Sequence, residues 1–85
     1  MTAQDKAKAG LWLIEEAILQ LIREKGPIHP AEVEDALSLR WELPEEGQGL
    51  KGICYLIMLK MAKQGHLLKG EGVRPTYSIN PSSGH

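Results

Sequence analysis

Between Leu11 and Lys25 the apolar residues Leu11, Ile14, Ala17, Ile18, Leu21 and Ile22 recur at steps of three and four. That spacing puts side chains on one face of an α-helix. Gly26-Pro27 ends the pattern. Extended backwards, Ala3, Ala7 and Gly10 fall on the same face, so two starts are open. Either the helix begins at Leu11 behind an N-terminal segment 1–10, or it begins earlier despite the cost of a glycine inside a helix. Ile28 marks a short strand, and Pro30 suits the first turn of a second helix that runs to about Leu39. Glu32 can reach back to its open amides. The predicted buried face is Val33, Ala36 and Leu37, with Glu32, Glu34 and Asp35 in solvent. Arg40 to Gly49 holds Pro44, Gly47 and Gly49 and reads as a loop. A third helix follows from Leu50 to Gln64, with Leu50, Ile53, Cys54, Ile57, Met58 and Met61 as its core stripe and Gly65 as its stop. His66 to Lys69 and Arg74 to Ile79 read as two strands of a hairpin around Gly70-Glu71-Gly72, with Pro75 on an edge. Asn80 to His85 reads as a disordered tail.

Composition bounds this picture without changing it. A chain of 85 residues with 42% hydrophobic positions and no phenylalanine makes one domain, here 11–79, packed mostly by aliphatic side chains. Ten Lys and Arg stand against eleven Asp and Glu, a formal charge of −1. Nothing in that balance draws nucleic acid to the whole surface, so any such binding needs a local basic patch. Cys54 is the single cysteine, which rules out an intrachain disulfide and a cysteine-based zinc site and points to a reducing, cytoplasmic setting. The polar start Met1 to Lys8 lacks the apolar stretch of a signal peptide, and no apolar run reaches membrane-spanning length.

Helix, short strand, helix, loop, helix ending in glycine, then hairpin is an order that resembles the winged helix-turn-helix superfamily. The residues that carry the resemblance are Ala17 to Ile22 with Gly26-Pro27-Ile28, then Met58, Met61 and Gly65-His66-Leu67, and Pro75 to Ile79. The resemblance implies an α+β fold of three helices with a C-terminal two-stranded β-hairpin wing. It also implies a third helix that enters the major groove of double-stranded DNA and a wing that touches backbone or minor groove. The segment Arg40 to Gly49, with acidic Glu42, Glu45 and Glu46, is longer than the tight turn the family uses there.

Candidate chemistry is sparse. Gly47-Gln48-Gly49-Leu50-Lys51-Gly52 matches G-x-G-x-x-G, but no strand precedes it and no βαβ unit contains it. It reads as a loop ending in a helix N-terminus, whose amides could hold one DNA phosphate. His29, His66 and His85 stand far apart and suggest neither a metal site nor a catalytic base. No catalytic residue and no cofactor are expected, and the chain reads as a non-enzymatic module. Lys51, Lys60 and Lys63, with Lys69 and Arg74 at the hairpin, are either one positive strip, which Arg40 could join, or ordinary solvated charge. The DNA-contact set is Lys51, Tyr55, Lys63, Lys69 and Arg74.

Two apolar anomalies complete the reading. Tyr55, Leu56 and Leu59 point away from the core stripe, where a base-reading helix offers Arg, Asn, Gln or Lys. They contact a partner, or the wing or long loop covers them. Trp12 and Leu19, about two helical turns apart, lie opposite Ile14 and Ile18. They form a homodimer contact, or they pack against Trp41 or the N-terminal segment. The expected function is DNA binding in transcriptional or related regulation. The alternative is a protein-interaction domain using the outer face of the third helix.

Overall fold

Thr2 starts the first helix, α1 (Ala3–Lys25), in a computed structural model that describes residues 1–39 and 52–82. The Thr2 hydroxyl accepts the Asp5 amide at 3.1 Å and the Asp5 carboxylate accepts the Thr2 amide at 3.2 Å. This reciprocal capping box satisfies two amides that a helix start would leave open. The earlier of the two starts is therefore the one adopted, and Gly10 lies inside the helix. Gly26, at φ 84°, closes the other end, its amide bonding to the Ile22 carbonyl at 2.7 Å.

Ile28 exchanges both backbone hydrogen bonds with Tyr77, at 3.1 and 2.9 Å, as an isolated antiparallel bridge. The next helix, α2 (Pro30–Ala36), is capped by His29, whose Nδ1 accepts the Ala31 amide at 3.1 Å. It stops short of Leu39 because Ser38 turns into the left-handed region at φ 57°, and the Leu39 amide bonds back to the Glu34 carbonyl at 2.9 Å. Val33 is buried, whereas Ala36, expected in the core, is exposed.

The third helix, α3 (Ile53–Lys63), buries Cys54, Ile57, Met58 and Met61 and leaves Ile53, expected beside them, exposed. Past its C-cap, Gly65 takes φ 84°. The His66 amide returns to the Met61 carbonyl at 2.9 Å and the Gly65 amide to Ala62 at 3.1 Å. That is the Schellman closure, which needs a residue free to adopt positive φ.

Two strands follow, β1 (Leu67–Lys69) and β2 (Tyr77–Ile79), antiparallel in the register Leu67 to Ile79, Leu68 to Ser78 and Lys69 to Tyr77. Residues directly opposite share a face. Leu67, Ile79, Lys69 and Tyr77 therefore lie on one side, and Leu68 and Ser78 on the other. Asn80, assigned by the sequence to the tail, ties this hairpin to the end of α3. Its amide bonds to the His66 carbonyl at 3.1 Å and its Nδ2 to the Gly65 carbonyl at 2.9 Å.

The architecture is α+β, three helices and a two-stranded antiparallel hairpin. One core joins Ile18, Leu19, Leu21 and Ile22 of α1, Val33 of α2, the buried stripe of α3, and Ile28, Leu67 and Tyr77. Each such side chain contributes about 1.5–3 kcal/mol by leaving water. Among the described residues no helix is long and apolar enough to cross a membrane. The loop Arg40 to Gly49, Leu50, Lys51 and most of the glycine motif lie outside the described residues, as do the last three positions of the tail.

Candidate functional site

At about 100° per residue, the outer arc of α3 runs from Tyr55 through Leu59, Lys63 and Leu56 to Lys60 and Ile53. Its sequence from Ile53 to Lys63 contains no acidic residue. Leu56 is 64% exposed and Ile53 is also exposed, so the middle and one edge of the arc are apolar and open. Tyr55 and Leu59 are half-buried. Tyr55 leans toward the hairpin, where it lines a cleft with Lys69.

The cations divide. Lys60, counted in the predicted strip, places its Nζ 2.9 Å from Glu15 Oε2 on α1. A surface pair of this kind stabilises the fold by about 0–1 kcal/mol, but it offsets the charge that Lys60 brings to the arc. Lys63, in the last turn of α3, and Lys69 and Arg74, at the hairpin, are exposed. The turn between the strands closes where the Gly70 amide meets the Thr76 carbonyl at 2.8 Å, and Gly72 takes φ 108° within it. Val73 and Pro75, either side of Arg74, line the same cleft as Tyr55 and Lys69. Lys51 lies outside the described residues.

The expectation of an exposed Trp12 and Leu19 pair is corrected. Trp12 is 58% exposed, but Leu19 is 3% exposed and belongs to the core. The end of α3 meets that side of α1 at the Lys60–Glu15 pair, and Leu19 lines a groove of about 230 Å³ shared with Trp12, Met61 and Gln64. A helical wheel of α1 shows one apolar stripe and cannot show that a second element covers its flank. The exposed neighbour of Trp12 is Leu13.

Glu34, expected in solvent, is also corrected. It is 4% exposed, and its Oε2 accepts the Cys54 amide at 3.2 Å. Gly52, the N-cap of α3, has no side chain to cap with. The carboxylate from α2 takes that part, and a Cβ on Gly52 would overlap it. Burial, and next the Glu34 charge, push the Cys54 thiol up to about 11. This thiol is a packed core group.

Tyr77 is the functional candidate that sequence reasoning missed. It is 1% exposed, and its hydroxyl has no hydrogen-bond partner among the described residues. Its only sequence signal was its place in a short strand. No group of three His, Cys, Asp or Glu side chains that could hold a metal occurs among the described residues. Comparison with protein-family models, with curated proteins and with solved structures found no match in any of the three.

Proposed function

We propose that the chain is a non-enzymatic winged helix-turn-helix module that binds double-stranded DNA in transcriptional or related regulation. In this reading α3 is the recognition helix and the hairpin is the wing. One observation carries it: the acid-free helix α3 stands with Ile53, Leu56, Lys60 and Lys63 of its outer arc exposed, beside a hairpin whose Lys69 and Arg74 are also exposed. With a formal charge of −1, attraction must come from that local strip. If Lys63, Lys69 and Arg74 each neutralise one phosphate, affinity for a random-sequence duplex falls with salt at a log-log slope of about −2.7. An anisotropy titration should show this slope, and Lys69→Ala with Arg74→Ala should flatten it by about 1.8. Unchanged affinity in the double variant would reject the wing assignment.

The exposed Ile53 and Leu56 favour a second reading, a protein-interaction domain that uses the same face of α3. Tyr55 and Leu59 would border that patch. Under this reading, no salt-dependent duplex binding appears at all. A homodimer would use Trp12 and Leu13, since Leu19 is committed to the core.

A further inference from the structure

We propose that the cleft between the start of α2, Tyr55 and the hairpin is a binding site for a small oxyanion of the phosphate type. The cleft encloses about 270 Å³. That is just below the roughly 300–1,000 Å³ of ordinary small-molecule sites, so a compact ligand fits. Its walls are His29 and Pro30 from the entry to α2, Tyr55 from α3, and Lys69, Tyr77 and the turn residues Gly72, Val73 and Pro75 from the hairpin. No carboxylate is among these residues.

The polar groups on the walls offer donors. The Tyr77 hydroxyl is buried and, among the described residues, without a partner, a state that folded proteins avoid because the lost water bond goes uncompensated. Tyr77 is only 1% exposed, so an oxygen of the ligand would supply the missing acceptor through a shift of the side chains that cover this hydroxyl. Burial, and next the nearby Tyr55 phenol, push the Tyr77 phenol upward, so its O–H persists at neutral pH. Because His29 Nδ1 accepts the Ala31 amide proton, the neutral imidazole carries its own proton on Nε2 and has a donor to give. Lys69 stands directly opposite Tyr77 in the strand register and adds a positive charge to the same wall. A hydroxyl, an imidazole N–H and an ammonium around a cleft lined by no carboxylate among the described residues suit an anion with several acceptor oxygens. Such an anion is either a free phosphorylated molecule or a phosphate of a nucleic-acid backbone.

Thermal unfolding of the full chain in inorganic phosphate, against chloride at equal ionic strength, tests the site independently of the DNA-binding reading. Phosphate should raise the wild-type Tm saturably. Tyr77→Phe, which keeps the ring and removes the hydroxyl, and Lys69→Gln should each weaken phosphate binding at least tenfold. Without ligand, Tyr77→Phe should melt no lower than wild type; should it fail to fold, Lys69→Gln, at an exposed position, carries the test. A parallel titration with a random-sequence duplex separates the two sources. A tenfold loss of duplex affinity in Tyr77→Phe identifies a backbone phosphate, and a loss confined to inorganic phosphate identifies a free ligand. Phosphate binding without any duplex binding leaves this site standing and rejects the DNA reading. A phosphate shift no larger than that of chloride, together with equal duplex affinity of wild type and Tyr77→Phe, overturns the proposal.

Discussion

At its C-terminal end α3 is closed by residues that follow it directly, the Gly65 amide returning to Ala62 and the His66 amide to Met61. At its N-terminal end the closing group is Glu34, contributed by α2 and buried against the Cys54 amide. The first closure is local and needs only a residue tolerant of positive φ. The second is tertiary: it fixes where α3 starts and also how α3 sits on α2. An acceptor oxygen at a helix start is stabilised by the open amides and the helix dipole, but here it must be delivered across the core. The contrast teaches that two ends of one helix can carry different risks. A local cap fails alone, whereas a borrowed cap takes the packing of two helices with it. For a helix whose outer arc is the candidate contact surface, the N-terminal closure is thus the one that aims the surface.

The largest effect is expected at the borrowed cap. Glu34→Ala leaves the buried Cys54 amide without its acceptor and should cost about 2–3 kcal/mol in denaturant unfolding. Gly52→Ala should cost a comparable amount, because its methyl displaces the carboxylate. The double variant should then be no less stable than Glu34→Ala alone, since the methyl enters vacated space, a strong departure from additivity. Additive losses would show that the two residues do not share one site.

A smaller effect is expected at the local cap. Gly65→Ala puts a side chain at φ 84°, which should cost about 1–2 kcal/mol. Combined with Glu34→Ala the losses should simply add, because the two sites lie at opposite ends of the helix. Coupling between them would merge the two regions that the comparison separates.

The smallest effect at neutral pH belongs to Cys54. Its folded value of about 11 lies above its ordinary 9.0. The stability it contributes is complete below pH 9 and is lost as pH rises toward and through 11. Tyr77, raised above its ordinary 10.0, adds loss in the same direction. Wild-type stability should therefore be level across neutral pH and fall in the alkaline range, and Cys54→Ala should lessen the fall. A thiol reagent should label Cys54 at neutral pH only as fast as the chain unfolds.

Much of the fold was legible because it rests on local rules. The three- and four-residue spacing of Ile14, Ile18, Leu21 and Ile22 marked α1, Gly65 marked the end of α3, and Ile28 and the segment before Ile79 marked extended backbone. The candidate site was less legible. Lys63, Lys69 and Arg74 could be named from the sequence, but the pairing of Lys60 with Glu15 joins residues 45 positions apart. The cleft around Tyr77 draws on three separate stretches of chain.

By itself the sequence determined the element order, the stops of α1 and α3 and most of the apolar side of each helix, because those follow from backbone sterics and the period of the chain. Only the tertiary structure decided which polar and flank residues go inside. Glu34 entered the core because α3 brought an open amide to it, and Leu19 because the shared core of helices and hairpin reaches its flank of α1. Tyr77 became part of the core where Ile28 and β1 pair on either side of its backbone. Burial is a property of the pair of surfaces that meet, and one helix or strand carries information about only one of them.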